Sequence, residues 1–131
     1  DWGDTDISFS PNVISSAGIQ FSASQDLTFT LLNKFVGNQY MSNTESNISR
    51  LSSYSTTDLN ILYTIKNSAY FSEIIVTAMI NNIFNKEYVS NGYYYTYDDT
   101  WSDPNLITTI EGTGYYPQAK RNFLLGLTFK L

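Results

Sequence analysis

Residues 88–117 concentrate the side chains with most to offer a ligand. Tyr93, Tyr94, Tyr95, Tyr97 and Trp101 stand among Asp98, Asp99 and Asp103. Aromatic faces stack and phenols hydrogen-bond, so the segment reads as a surface loop that helps to capture a ligand. The competing reading is a solvated hairpin whose aromatic rings pack on one another. Asp98, Asp99, Asp103 and Asn105 carry hard oxygens of the kind Ca²⁺ takes, but their spacing lacks the EF-hand pattern, and no metal is expected. Asp98 and Glu111 are a carboxylate pair of the type that glycoside hydrolysis uses. No other constellation supports catalysis, so the chain is not expected to be an enzyme and needs no cofactor.

Two absences narrow the chemistry further. The chain has no Cys, which removes disulfides and thiolate chemistry, and no His, which removes the usual general base and the commonest metal ligand. With a pI near 4.4 and 7 Lys and Arg in 131 residues, it lacks the electrostatic footprint of a nucleic-acid binder. Aromatic residues make up 16% and charged residues only 15%, well under the roughly 25% of ordinary globular chains. A hydrophobic fraction of 42% with a net charge of −5 argues against disorder. No apolar run is long enough for a membrane-spanning helix. The acidic start, Asp1-Trp2-Gly3-Asp4, does not read as a signal peptide. Structure, binding or transport remain.

The elements that must position these residues have a period of two. In Asn122–Leu131, Phe123, Leu125, Leu127, Phe129 and Leu131 fall on one face, against Asn122, Leu124, Gly126, Thr128 and Lys130. The same alternation marks Val13–Ser22, Leu27–Gly37, Thr57–Ile65 and Glu73–Asn81, all rich in β-branched and aromatic residues. Asn33 and Asn82 interrupt the apolar side, each toward a strand end. Asp58, Asn60, Thr64, Thr77, Asn81 and Lys130 fall on the polar side, and Lys34 and Asp58 are placed to pair across neighbouring strands. The expectation is an all-β, antiparallel up-and-down meander of about five strands.

The connections alternate in length: short at Ser24–Asp26 and Lys66–Ser72, long at Asn38–Tyr54 and Tyr88–Pro117. Short turns at one end and long loops at the other are the habit of transmembrane β-barrels. Phe21, Phe29, Tyr63 and Phe129 lie toward the short-turn ends, and Tyr40, Tyr54, Phe84, Tyr88, Tyr115 and Tyr116 toward the long-loop ends. Two such belts are what rings form at two membrane interfaces. Five strands cannot close a barrel, and an open edge in lipid leaves backbone groups unpaired, so the segment reads as one piece of a larger wall.

At this level of detail the chain resembles the TonB-dependent outer-membrane receptors. Phe35-Val36-Gly37-Asn38-Gln39-Tyr40-Met41-Ser42-Asn43-Thr44 is similar to their "YVGKQYLDNT" segment, and Asp58-Leu59-Asn60-Ile61-Leu62-Tyr63 to "NDLRLSY". Asn81-Asn82-Ile83-Phe84-Asn85-Lys86-Glu87-Tyr88 resembles "NNLFNKKY", the most specific of these elements. Tyr115-Tyr116-Pro117-Gln118-Ala119 and the strand from Asn122 resemble the closing strand, except that the family usually ends in Phe and this chain ends in Leu131.

The resemblance implies that residues 1–131 are the C-terminal part of a barrel of about 22 strands, without the plug domain and the N-terminal strands. It implies active uptake of a siderophore, cobalamin, haem or glycan class ligand across the Gram-negative outer membrane. The partners it implies are outer-membrane lipid, the TonB complex through the plug, the assembly machinery and the ligand, a small molecule or oligosaccharide. Phe123, Leu125, Leu127, Phe129 and Leu131 would then form the barrel-closing and assembly strand. The alternative is a soluble, secreted β-sandwich binding module with an aromatic-rich ligand loop, whose apolar faces would pack on one another.

Overall fold

The computed structural model describes residues 5–66, 70–103 and 105–131. Its strands are β1 (Ile14–Ser22), β2 (Leu27–Val36), β3 (Gln39–Tyr40), β4 (Arg50–Leu51), β5 (Tyr54–Lys66), β6 (Glu73–Asn81), β7 (Val89–Asp99), β8 (Thr108–Pro117) and β9 (Asn122–Lys130). A single 3-10 turn, Asn47–Ser49, is the only helical element among the described residues. The fold is all-β. Five strands form one antiparallel sheet in the order β1-β2-β5-β6-β9, while β3 pairs with β4 and β7 with β8. The five long alternating segments are the five strands of the sheet. Most boundaries move by one residue or none, β5 begins three residues early at Tyr54, and β9 ends at Lys130, which leaves Leu131 just past the last strand residue. The sheet is open, with β1 and β9 at its edges. Asp1–Asp4 at the acidic start and part of the turn Lys66–Ser72, residues 67–69, lie outside the described residues.

The chain divides into two compact units. One comprises Ser15–Phe35, Ser55–Glu87 and Ala119–Leu131, and holds the large sheet. Its register lines up like with like. Across β5, β6 and β9 run the rows Leu59–Ile80–Phe123, Ile61–Ala78–Leu125, Tyr63–Val76–Leu127 and Ile65–Ile74–Phe129. Every member is apolar. The alternate rows are Asn60–Met79–Leu124, Leu62–Thr77–Gly126, Thr64–Ile75–Thr128 and Lys66–Glu73–Lys130. These mix polar, small and charged residues with the apolar Leu62, Ile75, Met79 and Leu124, and Lys130 pairs with Glu73 at the end of the last row. A slip of one residue would exchange the two faces, so the pattern itself pins the register.

No second layer covers the apolar rows within this unit. Leu125 is 69% exposed and Leu127 56% exposed. The buried apolar residues among those described are Val36, Met41 and Leu51, and all three belong to the other unit.

The two asparagines that interrupt the apolar pattern are hydrogen-bonding junctions. Asn33 Nδ2 donates to Ser55 Oγ, the Thr56 carbonyl and Thr57 Oγ1 at 2.9–3.0 Å. Asn82, buried and left-handed at φ 54°, donates through Nδ2 to the Lys86 carbonyl at 2.8 Å and the Ala119 carbonyl at 3.4 Å. Its Oδ1 accepts the Lys86 N–H at 2.9 Å, and its own N–H donates to Asp58 Oδ1 at 2.8 Å. A buried amide is tolerated where each polar atom finds a partner. Lys34 and Asp58 form no ion pair among the described residues. The pair that ties these strands is Lys66 with Asp26, at 2.6 Å, beside the turn that precedes β2. Proximity to the turn, where Thr64 N–H also donates to the Asp26 carbonyl, decides the partner.

The second unit comprises the described part of Asp1–Ile14 with Val36–Tyr54 and Tyr88–Gln118. Here the expected long loops turn out to be structured. β3 and β4 pair as Gln39↔Leu51 and Tyr40↔Arg50, and close the loop around the 3-10 turn. Ser46 caps that turn, its Oγ accepting the Ile48 N–H at 3.3 Å. The incoming chain is tied to the same loop. Phe9 N–H donates to the Tyr40 carbonyl at 2.7 Å, and Ser8 N–H to Asn43 Oδ1 at 2.7 Å. Tyr88–Pro117, expected as a loop, is mostly a ladder of β7 on β8, from Val89↔Pro117 to Asp99↔Thr108, with a bulge between Val89 and Asn91.

Candidate functional site

The strand period sorts the tyrosines of β7 and β8 onto opposite faces. Tyr94 lies on the face that meets the 3-10 turn: its phenol donates to Glu111, whose other carboxylate oxygen accepts from Ser46 Oγ at 3.1 Å. Tyr115 lies on the same face, its hydroxyl 3.5 Å from the Ile48 carbonyl. Beneath it, Met41 packs so closely on Gly92 that a Cβ there would sit 2.7 Å from the Met41 sulfur. Hydrogen bonding to Glu111 raises the Tyr94 phenol above its ordinary pKa, with desolvation adding to the shift. Tyr94 is therefore a structural residue of the unit.

Tyr93, Tyr95 and Tyr97 share the other face and form a ladder. Ring centroids are 6.3 Å apart for Tyr93 and Tyr95, and 6.4 Å for Tyr95 and Tyr97, with planes within 20° and 14° of parallel. Tyr116 joins at the base, tilted against Tyr93 at 6.1 Å. The residues opposite explain the arrangement. Tyr93 pairs with Gly114 and Tyr95 with Gly112. A Cβ at either glycine would fall 2.3 Å from the ring opposite, so the missing side chain is what admits the ring. An aromatic laid over a cross-strand glycine makes good the packing the glycine lacks. Half of each of the three tyrosines is open to solvent.

Trp101 stands at the hairpin tip, outside the ladder and 90% exposed. The turn beside it is organised by Asp99. Its Oδ1 accepts the Trp101 N–H at 2.9 Å and the Ser102 N–H at 3.2 Å, and its Oδ2 takes the Ser102 hydroxyl at 2.6 Å. The Ser102 hydroxyl, with the two backbone N–H groups, lowers the Asp99 pKa. Asp98 bonds Thr109 at 2.8 Å, and Asp103 accepts the Asn105 N–H at 2.9 Å. The acidic residues considered for Ca²⁺ thus serve local turns and strand contacts, and among the described residues no three His, Cys, Asp or Glu side chains gather as a metal site. Asp98 and Glu111 share a face of the hairpin, but each is engaged elsewhere, with Thr109 and with Tyr94 and Ser46.

Of the five aromatic residues singled out, the structure brings together Tyr93, Tyr95 and Tyr97, and separates Tyr94 and Trp101. Tyr116, Gly112 and Gly114 are the members that sequence reasoning missed. The signal was the spacing of alternate tyrosines against alternate glycines. On the sheet, Phe123, Leu125, Leu127 and Phe129 lie side by side on one face of the edge strand β9, while Leu131 lies beyond it. Asn60, Thr64, Thr77, Asn81 and Lys130 share the other face. Asp58 follows them by alternation. Compared with family models, curated proteins and solved structures, the chain matches none.

Proposed function

We propose that this chain is a wall segment of a TonB-dependent outer-membrane receptor, and that β9 is its barrel-closing strand. The observation that carries this reading is the set of four wholly apolar rows across β5, β6 and β9, uncovered within their unit. In water each large apolar side chain left uncovered forgoes about 1.5–3 kcal/mol. Against acyl chains the same face is at home, and the alternate face turns its Asn, Thr and Lys residues to a polar lumen. The backbone edges of β1 and β9 are then met by the remaining strands of a barrel of about 22, because lipid offers no hydrogen-bonding partner.

In this reading the protein resides in the Gram-negative outer membrane and imports a ligand using energy from the TonB complex, which acts through a plug carried elsewhere in the full-length protein. The unit with the β7–β8 hairpin faces outward, and the terminal strand is read by the assembly machinery. The test is outer-membrane yield and heat-modifiability of the full-length protein carrying Leu127→Arg or Thr128→Arg, neighbours on opposite faces. Arg on the lipid face costs roughly 2–4 kcal/mol near mid-membrane. Leu127→Arg should lower yield, and Thr128→Arg should leave it near wild type. Equal tolerance of the two would remove the main support for a membrane wall.

A further inference from the structure

We propose that Tyr93, Tyr95 and Tyr97 form a stacking platform for a linear, neutral oligosaccharide. This names the ligand class of the proposed receptor and rests on that reading for where the hairpin is displayed. Three observations carry it. The rings repeat along one strand at 6.3 and 6.4 Å, nearly parallel, so the surface suits a ligand that itself repeats in a line. A pyranose ring presents a face of C–H groups, whose slight positive charge complements the negative face of a phenol ring. Second, the three phenol oxygens have no hydrogen-bond partner among the described residues, and so can meet sugar hydroxyls along the chain. Third, the ladder and the residues opposite it, Ile110, Gly112 and Gly114, carry no charge.

The surrounding charge selects against other ligands. Residues 38–54 and 88–117 carry Glu45, Asp98, Asp99, Asp103 and Glu111 against a single cation, Arg50. Haem propionates and ferric catecholates would meet net repulsion there. A cation would be drawn to phenol faces as well, but Asp98 and Glu111 lie on the opposite face of the hairpin and are already engaged, and Asp99, which follows Tyr97 on the ladder's own face, is taken up by the Trp101 and Ser102 N–H groups and the Ser102 hydroxyl. A neutral chain suffers neither difficulty.

The experiment measures binding of unbranched β-linked glucan oligosaccharides of increasing length to the purified full-length protein in detergent, by calorimetry. Affinity should rise with length until the three rings are covered, and then level. Tyr97→Ala, which faces Ile110 and uncovers no glycine, should weaken binding about tenfold, on the scale of one lost aromatic contact. Tyr95→Phe should keep most of the affinity, and Tyr70→Ala, an exposed tyrosine of the sheet unit, all of it. Binding that ignores chain length, or ignores Tyr97→Ala, overturns the proposal. So does haem, a ferric catecholate, cyanocobalamin or tetralysine binding with dependence on Tyr97. Length-dependent binding by a protein that does not fractionate with the outer membrane would keep the platform and discard the transport reading. Outer-membrane residence without such binding would discard the platform alone.

Discussion

Asn82 ties the end of β6 to the connections that follow β6 and precede β9. It is 4% exposed, sits at φ 54° and satisfies three backbone groups with one amide. Asn82→Ala should cost about 2–4 kcal/mol, combining lost hydrogen bonds with a left-handed backbone that alanine resists. Asn82→Gly loses the bonds and keeps the backbone, so it should be milder by about 1 kcal/mol. Denaturant midpoints of the purified full-length variants in detergent check this, and equal losses would remove the backbone part of the account. Asp99 makes a prediction in pH. Its folded pKa is lowered, so its contribution to the hairpin tip is present above the ordinary carboxylate pKa and fades as pH falls through the lowered one. The Asp99 carboxyl resonance should titrate below its ordinary value of 3.8, and Ser102→Ala should move it back up.

Among the elements, glycines of different surroundings should respond differently to a methyl group. Gly126 on β9 has only ordinary contacts for a Cβ, at 3.8 Å and beyond, so Gly126→Ala should be neutral or slightly stabilising. Gly112→Ala must displace the Tyr95 ring and should destabilise the hairpin by about 1–3 kcal/mol. Amide exchange across β7 and β8 reads the difference, and unchanged protection in Gly112→Ala would contradict the ring placement. The five strands of the sheet were legible because apolar residues recur at alternate positions along each of them, which leaves one register open. The hairpin with packed rings was visible only as the alternative to a ligand loop, and its register was not. Tyr93, Tyr94 and Tyr95 are consecutive, so both faces look alike in sequence, and the glycines that admit the rings read as loop residues. The two-residue strands β3 and β4 are too short to show any period. Asn33 and Asn82 were visible as interruptions, but their partners come from other strands and connections, which no local pattern reveals.

For the molecule as a whole, the two units differ in what they bury. The unit with β3, β4, β7 and β8 contains the buried apolar residues Val36, Met41 and Leu51, whereas the unit that comprises Ser15–Phe35, Ser55–Glu87 and Ala119–Leu131 contains none among the described residues. In detergent-free buffer the isolated chain should therefore self-associate, and detergent should disperse it. Sedimentation with and without detergent tests this. A monodisperse monomer that unfolds cooperatively in plain buffer would argue that the apolar rows find cover without lipid.

The strand order carries a rule of parity. Five antiparallel strands are an odd number, so β1 and β9 run in the same direction. A second copy moved alongside by simple translation would set β9 against β1 in parallel, breaking the alternation. Copies related by a two-fold axis would instead join β9 to β9 or β1 to β1 in antiparallel fashion. To close this sheet on itself with every neighbour antiparallel, the missing arc must contain an odd number of strands. The total is then even, as bacterial outer-membrane barrels have it.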